Sequence, residues 1–331
     1  MRFLFGSASV AEINLVHTTK KYKVVNGDKF MRIEKVLAAL TIFLAANLLP
    51  RLAIATEGGG SIYPVGAENF SCCALPPPGV YGLAYGEHYS ADSLRGNDGN
   101  EVPIPGFRVR STAVVPRLVW VTNQQLMGGS LAFHGVLPLV NLEVKTAAAS
   151  QSKTGIGDMT LGTALGWHHG PNLHTVLGVD LFLPTGAYNK NDLANIGRNY
   201  WAVQPLFGIT YIDPEGFNGD MKVMYTFNMI NRDTDYRSGQ ELIIDYAVGY
   251  GIGAGWVVGA GGYFYQQTTE DKQAGNIVPN NKGRAWAIGP SIKYDSGKGW
   301  FATLKYEFET GVRNRAQGSA LWVRAIFPLS L

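Results

Sequence analysis

Three histidines crowd one short stretch of the chain, His168, His169 and His174, and imidazole serves both as a general base and as a zinc ligand. A Ser/His/Asp set could be drawn from them and the many serines, but no serine stands in a G-x-S-x-G elbow or another nucleophile context. Residue alternation also sends His168 and His169 to opposite faces and leaves His169 in a turn, which argues against a metal site. The two cysteines, Cys72 and Cys73, are adjacent and make neither a disulfide framework nor a four-ligand zinc site. They fit a strained adjacent disulfide in an oxidising compartment or two small apolar residues, and the sequence does not choose. No catalytic set, metal or cofactor is expected.

The remaining charged and aromatic groups have a different pattern. From about residue 79 the chain falls into segments of roughly ten residues that alternate apolar and polar. In 300–309, Trp300, Ala302, Leu304, Tyr306 and Phe308 share one face, and Phe301, Thr303, Lys305, Glu307 and Glu309 the other. In 319–329, Leu321, Val323, Ala325, Phe327 and Leu329 oppose Trp322 and Arg324. Twelve such segments are expected, at 79–89, 107–121, 130–144, 157–168, 173–184, 199–212, 217–229, 240–252, 255–267, 284–295, 299–309 and 319–329. Short connections at 169–172, 213–216, 253–254 and 296–298 alternate with long ones at 90–106, 145–156, 185–198, 230–239, 268–283 and 310–318. The stretch 122–129 is intermediate and occupies a short slot.

An even number of antiparallel strands, with short turns at one end and long loops at the other, describes an outer-membrane barrel. The expectation is an all-β chain: a single antiparallel transmembrane β-barrel of about 12 strands with short periplasmic turns and long extracellular loops. A soluble β-sandwich also alternates, but it has no reason to put its long connections at one end. Trp167, Trp201, Trp256, Trp286 and Trp300 lie near segment ends, where an aromatic girdle sits. The polar face then lines the interior, and it includes Asp180, Asp245, Lys305, Glu307 and Arg324, as ion pairs bracing the wall or as the lining of a permeation path. Tyr263 and Tyr265 on that face, with Tyr188 and Tyr236 in the long loops, are candidate ligand contacts. Tyrosine joins an apolar ring to one hydrogen-bonding tip, and packing in the girdle or lumen is its ordinary alternative use.

Composition agrees with this reading. The chain is 46% apolar and only 16% charged, and its 331 residues include 41 glycines, 16 tyrosines and 15 phenylalanines. A formal charge of +3 and the absence of a basic run beyond the N-terminal region set nucleic-acid binding aside. Residues 31–55 combine Arg32 and Lys35, an apolar run from Val36 to Leu49, and small residues at Ala53 and Ala55, the pattern of a signal peptide cleaved after Ala55. Residues 1–30 lack that pattern and read as an upstream extension from an early start codon. Residues 56–78 do not alternate and contain four prolines, yet carry Ile62, Tyr63, Phe70 and Leu75, so they form either a lumen plug or a loose periplasmic arm. The barrel is expected over 79–331.

The stretches YPVGAENF, ALPPPGVY, GDMTLGTALGWHHG, LANIGRNYW, TDYRSGQE, DYAVGYGIGAGW and GGYFYQQTTEDK resemble the meta-pathway phenol degradation protein family, also called SphA-like outer-membrane proteins. The resemblance runs from about Tyr63 to Leu329. It implies an outer-membrane barrel associated with degradation of aromatic compounds and a transporter of hydrophobic or aromatic molecules, with no catalytic set to carry over. Expected partners are outer-membrane lipid, a small hydrophobic or aromatic ligand, and the barrel assembly machinery, which would read Phe327 or Leu331 because the chain does not end in an aromatic residue. The alternative is a closed structural or adhesive barrel. An outer-membrane hydrolase is the more distant rival.

Overall fold

The structure, a computed structural model, describes Glu57–Ser330. The expected upstream extension and signal peptide lie outside the described residues. Twelve strands cross the wall: β1 (Gly79–Arg95), β2 (Arg108–Leu126), β3 (Gly129–Val136, continued as Leu139–Lys145), β4 (Ser150–Ile156, continued as Met159–His168), β5 (Leu173–Leu183) and β6 (Ala202–Tyr211) form the first half. The second half is β7 (Phe217–Asn228), β8 (Glu241–Gly253), β9 (Trp256–Gln267), β10 (Arg284–Asp295), β11 (Phe301–Arg313) and β12 (Arg315–Ser330). Each strand pairs antiparallel with its sequence neighbour. Strands β1 and β12 then close the ring, with Tyr85 opposite Arg324.

Alternation sets which side chains enter the barrel, because successive residues of a strand point to opposite faces. On β11, Leu304 and Phe308 are 45% and 54% exposed, whereas Lys305 and Glu307 are 0% and 1%. A wall with charge inside and aliphatic and aromatic side chains outside is inverted for water and suited to lipid, where a closed sheet leaves no backbone group unpaired. Trp120, Trp201, Trp256, Trp286 and Trp300 all lie on the exposed face. The exterior is that of an outer-membrane barrel.

Strand β1 runs on to Arg95, into the expected loop 90–106, and the connections differ from expectation in three further places. The intermediate stretch before β3 shrinks to Met127 and Gly128, both at positive φ (55° and 77°), the two-residue turn whose twist suits a hairpin. The expected long loop 310–318 is almost all strand, with Asn314 alone between β11 and β12. The expected long loop 145–156 is a hairpin, with Lys145 opposite Ser150 and Leu139 opposite Ile156.

That hairpin follows two breaks in the wall. Leu137–Pro138 interrupts β3, where proline lacks the N–H the ladder requires, and Gly157–Asp158 interrupts β4 beside it. Beyond the breaks, Ser150–Ile156 pairs on one side only and forms an edge of the large sheet. The 184–201 connection covers that edge: Ala187 N–H donates to Ile156 O at 3.1 Å, and Ala194 N–H to Gln151 Oε1 at 2.8 Å. A small ribbon of Tyr236–Arg237, Asp271–Gln273 and Asn276–Val278 ties two other long loops together.

Candidate functional site

Inside the wall runs the segment that precedes β1. Near its start, Glu57 meets the long-loop end of the barrel, accepting from Tyr188 Oη at 3.0 Å and from Asn231 Nδ2 at 2.7 Å. Ser61 Oγ donates to Glu241 at 2.7 Å. Farther on, Cys72 and Cys73 N–H donate to Asp220 and Thr210, at 3.0 and 3.1 Å, beside the short turn between β6 and β7. The segment therefore descends the lumen from one rim to the other before β1 begins.

Its middle is a tight turn. Ala67 N–H donates to Pro64 O at 3.2 Å and Gly66 has φ 83°, the backbone of a turn that needs glycine at its third position. Asp245 on β8 receives this turn with three bonds: Tyr63 Oη at 2.8 Å, Gly66 N–H at 3.0 Å and Glu68 N–H at 3.1 Å. Lys305 on β11 donates to Gly66 O at 2.6 Å and Glu68 O at 3.0 Å, and pairs with Glu307 at 3.0 Å. Glu307 also accepts from Trp322 Nε1 at 3.1 Å. Arg324 on β12 holds the Glu68 carboxylate at 2.7 Å and donates to Phe70 O. Asp245, Lys305, Glu307 and Arg324, chosen from alternation alone, are thus gathered around one turn.

Glu68 is the hub. Beyond Arg324, its carboxylate faces Lys222 at 3.3 Å and Arg117 at 3.4 Å. Burial by itself would push this carboxyl up, but Lys222, Arg324 and Arg117 outweigh that cost and hold it at about 2. Inward glycines make room for the segment. A Cβ at Gly208 would lie 2.2 Å from Cys73 Sγ, and one at Gly249 would lie 2.7 Å from the Phe70 ring.

The other expected residues form their hydrogen bonds outside this turn, although the Tyr263 ring packs against Gly66. Asp180 on β5 accepts from or pairs with His134 Nε2 at 2.9 Å. Tyr265 donates to Glu241 at 2.9 Å with the Arg315 guanidinium 4.0 Å above its ring, and Tyr263 donates to Glu309. Both rings are buried within the barrel. Tyr236 donates to Asp271 at 2.5 Å in the small ribbon, and Tyr188 sits against Glu57 and Asn231. Burial raises the hydroxyl pKa of both loop tyrosines, so each remains a donor.

Sequence reading missed Glu68, Arg117 and His134. A lone carboxylate in the otherwise uncharged run from Ser61 to Leu75, separated from its cationic partners by 49, 154 and 256 residues, was the available signal for the first. The other two fall on β2 and β3, where Val115, Val119 and Val136 share the inner face and blur the polar side. Between the turn and these strands is a cavity of about 70 Å³ walled by Tyr63, Tyr85, Arg117, His134, Phe182 and Trp322, among others. A larger cleft of about 350 Å³ opens at the short-turn rim near Pro214, Trp256, Lys293 and Tyr294.

With this geometry in place, comparison with known proteins gives a family match over residues 91–325, to the family described as "Putative MetA-pathway of phenol degradation". The chain belongs to that family. Among solved structures, this phenol-degradation family member is similar to the COG4313 outer membrane channel from Pseudomonas putida F1. The TM-score is 0.69 at 21% identity, covering 78% of this chain and 97% of that one. That likeness establishes the fold. The translocator domain of the autotransporter NalP from Neisseria meningitidis follows at TM-score 0.45 and 10% identity, over 77% of this chain and 90% of that one. The CymD monoaromatic hydrocarbon channel gives 0.38 and 10%, over 76% and 89%. At these scores the last two carry no functional argument. No curated protein matches the chain.

Proposed function

We propose that this protein is a passive outer-membrane channel for small hydrophobic or aromatic compounds, and that the segment 57–78 is the element that must yield for passage. The single observation that carries the reading is the lumen. It is spanned by a polar-anchored segment, yet it keeps a cavity walled by Tyr63, Tyr85, Phe182 and Trp322 beside that segment. Water-filled porins of sixteen or more strands keep an open aqueous path, whereas twelve strands around a chain segment suit solutes that exchange water for ring contacts. Membership of a family named for phenol degradation, and a fold shared with an outer membrane channel, support the same reading.

Transport is favoured over catalysis because the central charged groups of the lumen, Glu68, Asp245, Lys305 and Arg324, are spent on holding the segment. A closed structural barrel is the competing reading. Uptake of labelled phenol by cells with and without the protein, at low external concentration, separates the two. The expected result is slower uptake in the deletion strain, restored by the intact gene. Equal uptake in both strains, with the protein located in purified outer membrane, would remove the transport reading and leave the structural one. Tyr188, Tyr236, Tyr263 and Tyr265 act in this scheme mainly by holding loops and segment in place, and Phe327, on the lipid face of β12, is the residue offered to the assembly machinery.

A further inference from the structure

The cavity beside the turn has chemistry that a simple apolar passage would not need. Arg117 on β2 and His134 on β3 are near neighbours on the inner face, since Arg117 pairs with Val136 and His134 with Val119. Arg117 is weakly satisfied: its Nη1 reaches Tyr85 Oη at 3.2 Å and Glu68 at 3.4 Å, both long for a guanidinium, and its buried Nε has no partner. His134 spends Nε2 on Asp180, a carboxylate that only accepts, so the hydrogen is on Nε2. In the neutral ring Nδ1 is then a bare lone pair, and it too is buried without a partner. Several buried polar atoms lack a partner among the described residues, and these two belong to neighbouring side chains that line one cavity, where a ligand supplying both complements would satisfy them.

We propose that this cavity is a binding site for a hydroxylated aromatic ring, whose hydroxyl accepts from Arg117 Nε–H and donates to His134 Nδ1 while the ring packs among Tyr85, Phe182 and Trp322. The inference rests on the uptake reading above and deepens it. A hydroxyl is the small group that both donates and accepts. A carboxylate would satisfy Arg117 alone, and a hydrocarbon would satisfy neither atom. At about 70 Å³ the cavity is smaller than the ~150 Å³ that accommodates benzene in an engineered protein core. The ring therefore enters by pushing back the one wall that is not sheet, the Tyr63–Ala67 side of the segment, so binding and displacement of the segment are linked.

Calorimetric titration of the full chain in detergent micelles, corrected against empty micelles, with phenol, toluene and benzoate as probes, tests the site. A purely apolar cavity favours toluene, because burying the phenol hydroxyl unpaired is unfavourable. The expected order is phenol about tenfold tighter than toluene, with benzoate weaker than phenol, and His134→Leu abolishing the phenol advantage. Heat-dependent gel mobility checks that the variant is folded, and the ligand order of the unmodified protein stands without any variant. Toluene binding as tightly as phenol, benzoate binding tightest, or no saturable phenol binding would each overturn the site. Radiolabelled phenol and toluene uptake, measured in parallel, separates this from the broader reading. Uptake without phenol selectivity would reject the site and keep the channel, whereas selective binding without uptake would keep the site and reject the channel.

Discussion

The two sides of the lumen treat the inner segment differently. From β6 to β12 the wall grips it with Thr210, Asp220, Lys222, Glu241, Asp245, Ser291, Lys293, Lys305 and Arg324. From β1 to β5 the contacts are few, chiefly Arg117 to Glu68 and Tyr81 to Pro77 O. The same side holds the cavity, both strand breaks and the unpaired edge at Ser150–Ile156. One half of the wall is thus an anchor and the other a yielding face, and a solute moving past the segment meets less resistance on the second. The difference is in the side chains more than in the backbone, since the ladder is continuous elsewhere around the ring.

Breaking the anchor should have the largest effect. Glu68→Leu would leave Arg324, Lys222 and Arg117 facing one another in the lumen, and losing one partner of a buried charge cluster costs about 3–5 kcal/mol. Urea unfolding in lipid should report that loss, and planar-bilayer recordings should show raised conductance as the segment detaches. Asp245→Asn keeps the volume but weakens three bonds to the turn, for a smaller cost of about 1.5–3 kcal/mol, read by the same two measurements. Should both variants leave conductance at the level of the unmodified protein, the anchor side does not control the segment.

The anchor was partly legible in the sequence. Period-2 alternation exists because one face meets lipid, and it put Asp245, Lys305, Glu307 and Arg324 inside without any knowledge of what they hold. The same rule explains the loops that turned out to be strands. Ser150–Ile156 reads SQSKTGI, polar on both faces, and Arg315–Gly318 reads RAQG. Strands that rise past the lipid band lose the apolar face that marks them, although their backbone pairing continues. Glu68 was illegible as a hub because its segment has no period, and its cations come from β2, β7 and β12, which only the closed barrel brings together.

Acid should sharpen the comparison by discharging the hub of the anchor. The Glu68 carboxyl is held at about 2, below the ~4.3 of an ordinary glutamate. A depressed carboxyl contributes stability that is fully present above its unfolded pKa and is lost as pH falls from there through the folded value. The contribution of Glu68 to segment docking should therefore be unchanged down to about pH 4 and be lost between there and about pH 2. Stability measured against pH in the Glu68→Gln variant should be flatter across that window, and an identical slope in both proteins would remove Glu68 as the source.

On the yielding side the effects should be small and of another kind. Ala187→Pro removes the N–H that the covering connection gives to Ile156 O, a loss of about 1 kcal/mol for one hydrogen bond. Lys153→Ala breaks the ion pair with Asp192, both partners about a fifth to a quarter exposed, and such a pair contributes at most about 1 kcal/mol. Neither residue bonds the segment itself, although Ala187 adjoins Tyr188, so conductance to ions should stay near that of the unmodified protein. If the covering connection shields the cavity side from the exterior, phenol uptake should respond to Ala187→Pro more than unfolding does. A variant that raised ion conductance without altering phenol uptake would reverse the assignment of the two sides, because it would show the edge at Ser150–Ile156 restraining the segment instead of the cavity wall.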